Sequence, residues 1–270
     1  MKTLYLSDLD GTLLRRNART SEETNRIINY LTAERGMLFS LATARSLITA
    51  RKATAGLDVR FPMIIYNGTF TVDGVTGEIL ASNAFDVDVS AMLDELTAAE
   101  VYPMVYAHID GKEKFSYVPE LCTEGMKTHI ASRSGDIREN PVASPEELYR
   151  GTPFYIACIG DPAKLEPFYH RYRENCHCVY SLDTYSGAQW LEIMPKTASK
   201  QNAAAALKRS LGCERLVVFG DGKNDIGLFE IADEAYAVSN AHEELKRRAT
   251  AVIGSNEEDG VAKWLSERFG

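Results

Sequence analysis

The chain has no long apolar run. Nowhere in its 270 residues does a stretch approach the roughly 18 consecutive apolar side chains of a membrane-spanning helix, so no membrane role is expected. Basic excess is also missing. The formal net charge is −8, and the densest cationic cluster, Lys246-Arg247-Arg248, sits at the end of a predicted helix, where cations meet the helix dipole. A nucleic-acid binder needs a basic stripe to displace counterions, so nucleic acid is not an expected partner. An acidic protein that holds an anion must do so through a local cationic device. The five cysteines, Cys122, Cys158, Cys176, Cys178 and Cys213, are odd in number and scattered. Cys176-His177-Cys178 lacks a second ligand pair for a metal, and Cys176 and Cys178 read as small apolar residues on one face of a strand. Acidic Asp8 arrives too early for an export signal, which makes the cytoplasm the expected location. No internal repeat or low-complexity tract is present. What remains is an ordinary globular composition, 45% hydrophobic and 25% charged, long enough for one large domain or two modest ones.

The first 70 residues alternate short apolar runs with helical patterns. Thr3–Ser7, Met37–Ala42 and Met63–Tyr66 read as strands. Between the first two, Ile27, Ile28 and Leu31 recur at helical spacing behind Ser21, a candidate N-cap. Continuous apolar strands separated by helices predict a parallel sheet buried on both faces. After Asn67-Gly68 the rhythm changes to hairpins around Asp73-Gly74 and Asp110-Gly111, with helices over 86–99 and 164–174. The α/β rhythm returns near Thr197, with an alanine-rich helix over 199–211 and a strand Leu216–Phe219. The fold class expected is therefore α/β: a doubly wound, Rossmann-like parallel core from residues 1–83 and 191–270, interrupted by an α+β cap domain over 84–190. Residues 119–150 give no clear pattern.

Four apolar strands each end in a polar residue: Asp8, Thr43, Asn67 and Asp221. In an open α/β sheet, ligands bind outside the carboxyl ends of the strands, so adjacent strands would bring these residues into one crevice. The first cluster is Asp8-Leu9-Asp10-Gly11-Thr12, the last Gly220-Asp221-Gly222-Lys223-Asn224-Asp225. Taken singly, an Asx-turn accounts for Asp10-Gly11 without requiring Asp8, and a helix cap is an alternative reading of the last cluster. Together they put three or four carboxylates in one place, where mutual repulsion raises their pKa values unless a hard divalent cation relieves it. Oxygen-only ligation of this kind suits magnesium. Lys200, by position alone a surface residue, supplies the positive charge that a carboxylate attacking an anionic phosphate requires.

These motifs resemble those of the haloacid dehalogenase superfamily, and most closely its Cof-type sugar-phosphate phosphatases with a large α/β cap. Asp8-Leu9-Asp10-Gly11-Thr12-Leu13-Leu14 resembles the first motif and Leu41-Ala42-Thr43-Ala44-Arg45 the second. Lys200 after Glu192-Ile193-Met194-Pro195 resembles the third, and Gly220–Asp225 the fourth. Tyr66-Asn67-Gly68 and the stretch Ser255–Ala262 are also similar to segments usual in that branch. The resemblance implies a Mg2+-dependent phosphatase acting on a small phosphorylated metabolite, most often a sugar phosphate. It implies Asp8 as nucleophile and metal ligand, and Asp10 as general acid–base with its carbonyl on the metal. Thr43 and Lys200 would hold the phosphate, with Ala44 contributing its backbone N–H and Asn224 a further contact. Asp221 would be a metal ligand, and Asp225 would orient a metal-bound water or the lysine. One departure is Ala44, where the second motif usually has glycine; alanine keeps the N–H but resists positive φ. Two alternatives stay open: phosphoryl transfer to an acceptor other than water, as in a phosphomutase, and an idle phosphate-binding regulator. Substrate contacts are expected in the cap, with Tyr185, Ser186, Gln189 and His129 as candidates.

Overall fold

The computed structural model describes residues 1–183 and 186–269. The chain divides into two compact units, Met1–Ser82 with Ser199–Gly270, and Asn83–Ala198. The first is a doubly wound α/β core. Its five parallel strands lie in the order Ala251–Ile253, Glu234–Val238, Arg215–Gly220, Thr3–Ser7, Leu38–Leu41. The central strands are apolar along their length because both faces are covered: Leu4, Leu6, Leu216, Val218 and Phe219 are inaccessible to solvent.

From Thr3–Ser7 the chain moves outward through Leu38–Leu41 on one side, and later returns with Arg215–Gly220 on the other. That reversal makes a topological switch point, where open α/β sheets bind ligands. Register sharpens it. Ser7 stands beside both Leu41 and Phe219, so Asp8, Ala42-Thr43 and Gly220-Asp221 leave the sheet at one level. Met63–Ile65 continues this edge through a parallel bridge between Ala42 and Ile64. It then turns into the hairpin Phe70–Val72 and Ile79–Ser82, closed by Asp73 accepting from the Val75 and Thr76 N–H groups.

The stretch after the first strand is pinned from the other end of the chain. Ser21 Oγ caps the helix Glu22–Glu34 by accepting from Thr24 N at 2.9 Å. That helix packs on Gly260–Phe269. Asp259, held at φ +58°, receives hydrogen bonds from Arg15 at 2.5 and 3.2 Å, from Ser21 Oγ at 2.7 Å and from Thr24 Oγ1 at 3.1 Å. Asn256 donates to the Leu14 carbonyl and Asn240 to the Gly11 carbonyl. Burial opposes the Asp259 charge, but the bonds from Arg15, Ser21 and Thr24 outweigh it and hold the carboxyl below its usual range. Its stabilisation is therefore present above the unfolded carboxylate pKa and lost as pH falls through the lower folded value. Asp259→Asn keeps the left-handed backbone and the shape but loses the charge. It is expected to cost about 1–3 kcal/mol in urea denaturation at neutral pH. An unchanged midpoint would remove this clamp from the list of stabilising features.

The second unit has a six-stranded mixed sheet in the order Cys176–Leu182, Gln189–Pro195, Thr152–Ile159, Met104–Ile109, Lys112–Tyr117, Glu139–Pro141. The helices Ser90–Ala98 and Pro162–Tyr172 supply Leu93, Leu96 and Leu165 to its apolar cluster, which also holds Ile156, Cys158, Leu191 and Ile193. Cys176 and Cys178 pack against the same cluster.

Two sequence expectations change. The insertion was expected to close at 190, returning 191–270 to the core; instead Gln189–Pro195 is hydrogen-bonded on both sides within the inserted unit, and the core resumes at Ser199. The unreadable stretch 119–150 contains a helix, Glu124–Ala131, capped by Thr123, and the short edge strand Glu139–Pro141. No helix among the described residues is long and apolar enough to cross a membrane.

Candidate active site

Lys200 is the first residue of the helix Lys200–Ser210, whose N-cap Ser199 accepts from Asn202 N at 3.1 Å. Its side chain does not lie on the surface: the residue is only 2% exposed. The ammonium reaches Asp8 Oδ1 at 2.6 Å and Asp225 Oδ1 at 2.8 Å. Asp225 is wholly buried, and its second oxygen accepts from the Asp221 and Gly222 N–H groups at 3.1 Å each. The carboxylate therefore fastens the last cluster to the lysine. Asp221 is held by Thr12 Oγ1 at 2.9 Å. Gly11, at φ +78°, brings the backbone close to Asp221; a Cβ there would collide with that carboxylate.

Burial opposes the Lys200 charge, but Asp225 and Asp8 overcome it and keep the ammonium protonated, its pKa above that of an ordinary lysine. Burial also drives Asp8 well above the usual carboxylate range; Lys200 pulls against this, while Asp225, Asp221 and Asp10 push further. Burial and then Asp225 raise Asp221 to about 7. Asp8, Asp221 and Asp225 each offer an oxygen, all within 4.8 Å of one another. A crowded, oxygen-only set whose negative charge exceeds its single lysine fits a hard divalent cation. Asp225 is the most fully engaged of the three, with both oxygens already bonded within the protein.

Asp10 points elsewhere. Both of its oxygens accept from Arg45, at 2.8 Å from Nε and 2.6 Å from Nη2, a bidentate fork that fixes the carboxylate plane. Thr43 is fully buried, and its Oγ1 accepts from Arg45 N at 3.1 Å. Ala44 keeps φ outside the left-handed region, so the methyl in place of the usual glycine creates no backbone strain.

The turn after Met63–Ile65 does carry strain. Tyr66, Asn67 and Gly68 have φ values of 49°, 51° and 100°. A left-handed non-glycine residue costs roughly 1–2 kcal/mol, less for asparagine than for tyrosine. The turn is stitched to the second motif by Asn67 N to Thr43 O at 2.9 Å and Tyr66 N to Arg45 O at 3.0 Å. Asn224 Nδ2 reaches Asn67 Oδ1 at 3.3 Å.

The structure thus brings Asp8, Lys200, Asp221 and Asp225 into direct contact or close approach. It places Thr43, Ala44, Arg45 and Asp10 on the adjoining loops, and ties Asn224 in through Asn67. Sequence reasoning gave no role to Arg45, Thr12 or Asn67. Asn67 was placed at a strand end facing the crevice, and Arg45, two residues after Thr43, was visible as a cation beside the predicted carboxylates. In the inserted unit, Gln189 Nε2 donates to the Ser181 and Trp190 carbonyls, Ser186 Oγ to Asp183, and the His129 ring meets Trp190 edge-on at 4.7 Å. Tyr185 lies outside the described residues.

A parallel sheet with carboxylates and a buried lysine at its switch point defines a hydrolase-type α/β core with an inserted unit. Residues 5–265 match the profile of the haloacid dehalogenase-like hydrolases, and the chain belongs to that family. It is 26% identical to a Bacillus subtilis protein, 5-amino-6-(5-phospho-D-ribitylamino)uracil phosphatase YwtE, over 96% of each chain. A second B. subtilis relative of the same activity name, YitU, is also 26% identical, over 98% of this chain and 97% of the other. Among solved structures, TM0651 from Thermotoga maritima is 26% identical and superposes with a TM-score of 0.79, covering 99% of this chain and 97% of that one.

Proposed function

We propose that the protein is a magnesium-dependent phosphatase that hydrolyses a small phosphorylated metabolite through an aspartyl-phosphate on Asp8. The observation that carries this reading is the buried contact of Lys200 with both Asp8 and Asp225, beside Asp221, at the sheet's switch point. A cation buried against a carboxylate at a strand end is a device for bringing a second anion to that carboxylate.

Asp8, Asp221 and the Asp10 carbonyl, with Asp225 behind them, would hold the metal. When bound, Mg2+ neutralises charge on the carboxylates and on the transferring phosphoryl group. An Asp8 oxygen attacks phosphorus, the bond from phosphorus to the ester oxygen breaks, and Asp10, protonated with one oxygen released from the Arg45 fork, gives that proton to the departing oxygen. Water then attacks phosphorus, the Asp8–phosphorus bond breaks, and Asp10 takes the proton from the water. The net change is ester plus water to alcohol plus phosphate. Lys200 keeps Asp8 aligned and balances the incoming charge. The Thr43 hydroxyl and the Ala44 N–H would bind the phosphoryl oxygens.

For the substrate, the activity for which the two B. subtilis relatives at 26% identity are named supports a phosphorylated sugar or polyol, with a ribitylamino-pyrimidine phosphate first to be tried. The cytoplasm is the expected place of action. A phosphate-release screen over phosphorylated metabolites, with Mg2+ and with EDTA, tests the reading. No release from any ester in Mg2+ would overturn it, and product analysis in water alone separates hydrolysis from transfer to another acceptor.

Asp10 and Arg45 yield a sharper prediction. Asp10→Asn is expected to lose about 10²–10⁴-fold in kcat on alkyl phosphates, whose leaving group needs a proton. On p-nitrophenyl phosphate, whose leaving group is stable without one, it loses much less. Arg45→Ala follows the same pattern more weakly, and adds nothing in the Asp10→Asn background if Arg45 acts by positioning that carboxylate. Equal losses on both leaving groups would deny Asp10 the role of acid.

A further inference from the structure

We infer that Asn67 is a further ligand of the phosphoryl group, donating from its carboxamide Nδ2 to a phosphoryl oxygen. This rests on the phosphatase reading and adds to it a side chain to which neither the sequence motifs nor that reading gives a role.

Asn67 has no solvent exposure. Its Oδ1 is used by Asn224, but its Nδ2, also buried, has no hydrogen-bond partner among the described residues. Buried amide donors are rarely left unpaired, because removing them from water without a replacement partner is unfavourable. The orphan is not in a remote part of the core. Its own backbone N–H is bonded to Thr43, and its carboxamide meets Asn224, two residues that themselves stand at the strand-end crevice. The following residue, Gly68, packs on the Ser199–Lys200 backbone so closely that a Cβ would sit 3.0 Å from Lys200 N. The turn is thus wedged between the second-motif loop and the helix that presents the buried lysine.

The chemistry of the donor selects the ligand. An amide N–H cannot ligate a cation, so it does not belong to the Asp8, Asp221 and Asp225 set. It is neutral, and so adds a hydrogen bond to an anion without further stabilising the carboxylates as rivals. Asparagine is also the side-chain-bearing residue best suited to a left-handed position. Three consecutive positive φ values hold this carboxamide in place before any ligand arrives, and strain of this kind collects where a group must be preorganised.

The test uses the full chain with Mg2+, and inorganic phosphate as the probe. Asn67→Gly keeps the left-handed backbone and removes the carboxamide; Asn67→Asp keeps the shape and replaces the donor with an acceptor. Both are expected to raise the inhibition constant for inorganic phosphate by about ten- to hundred-fold, Asn67→Asp more than Asn67→Gly, and to raise KM for the ester with it. Without phosphate, the urea midpoint of Asn67→Gly is expected to equal or exceed that of the parent, since an unpaired buried donor has been removed. If either folded variant binds phosphate within about threefold of the parent, the inference is overturned and the donor is served by a water. A parent that neither hydrolyses esters nor binds phosphate overturns the phosphatase reading itself, so the two failures are distinguishable.

Discussion

Asp8→Asn is expected to fold and to release no measurable phosphate, kcat falling by on the order of 10⁴–10⁶-fold on every substrate. The amide keeps the shape of the carboxylate but is a poor nucleophile. Unlike Asp10→Asn, the loss does not depend on the leaving group, because formation of the phosphorus–oxygen bond is itself removed. Stability moves the other way. Asp8 is buried among Asp225, Asp221 and Asp10, which repel its charge, and Lys200 retains Asp225 as a partner when that charge is removed. In metal-free buffer the variant is therefore expected to melt at or above the parent temperature. Retained turnover would transfer the nucleophile's role to another group, and a large drop in melting temperature would make Asp8 a structural residue first.

Lys200→Met should give the opposite balance. It preserves chain length and apolar stem while deleting the only cation among the described residues that contacts both Asp8 and Asp225. Removing one partner of a buried ion pair leaves the others uncompensated, at a cost of about 3–5 kcal/mol. Urea denaturation in EDTA is the measurement. Turnover is expected to be lost as well, since nothing else among the described contacts of Asp8 supplies positive charge to it. A variant as stable as the parent in EDTA would mean that the carboxylates take up protons at little cost when the lysine is absent.

The strand ends were legible in the sequence because the signal is local. An apolar run that stops at Asp8 or Asp221 announces both the strand and its polar terminus. Lys200 was legible only through chemistry: its position reads as surface, and its burial comes from Asp8 and Asp225, which lie far away in sequence. Arg45 was quoted only within a motif and Asn67 only as a polar strand end; their particular contacts come from loop packing and from backbone angles that no periodicity encodes. Gln189–Pro195 shows the same limit at the level of the fold. Its alternation of Leu191 and Ile193 identifies a strand, but the sheet it joins is decided by its neighbours on either side. The stretch 119–150 was opaque because its helix and its strand are too short to establish a period.

The order of the strands also sets a timetable for synthesis. Thr12 and Asp221, which end as hydrogen-bonded neighbours, are 209 residues apart. At ribosomal rates of about 5–20 residues per second, the first strand waits roughly 10–40 s for the partner that covers its far edge. The inserted unit has all the described strands of its six-stranded sheet in hand before that partner is made. The nascent chain therefore carries a finished insertion attached to an unfinished sheet, with Thr3–Ser7 open along one side. A ribosome stalled just before residue 200 would hold a chain with Asp8 but without the lysine that contacts it, and delivery of residues 200–270, about a quarter of the sequence, both closes the sheet and completes the carboxylate–lysine cluster.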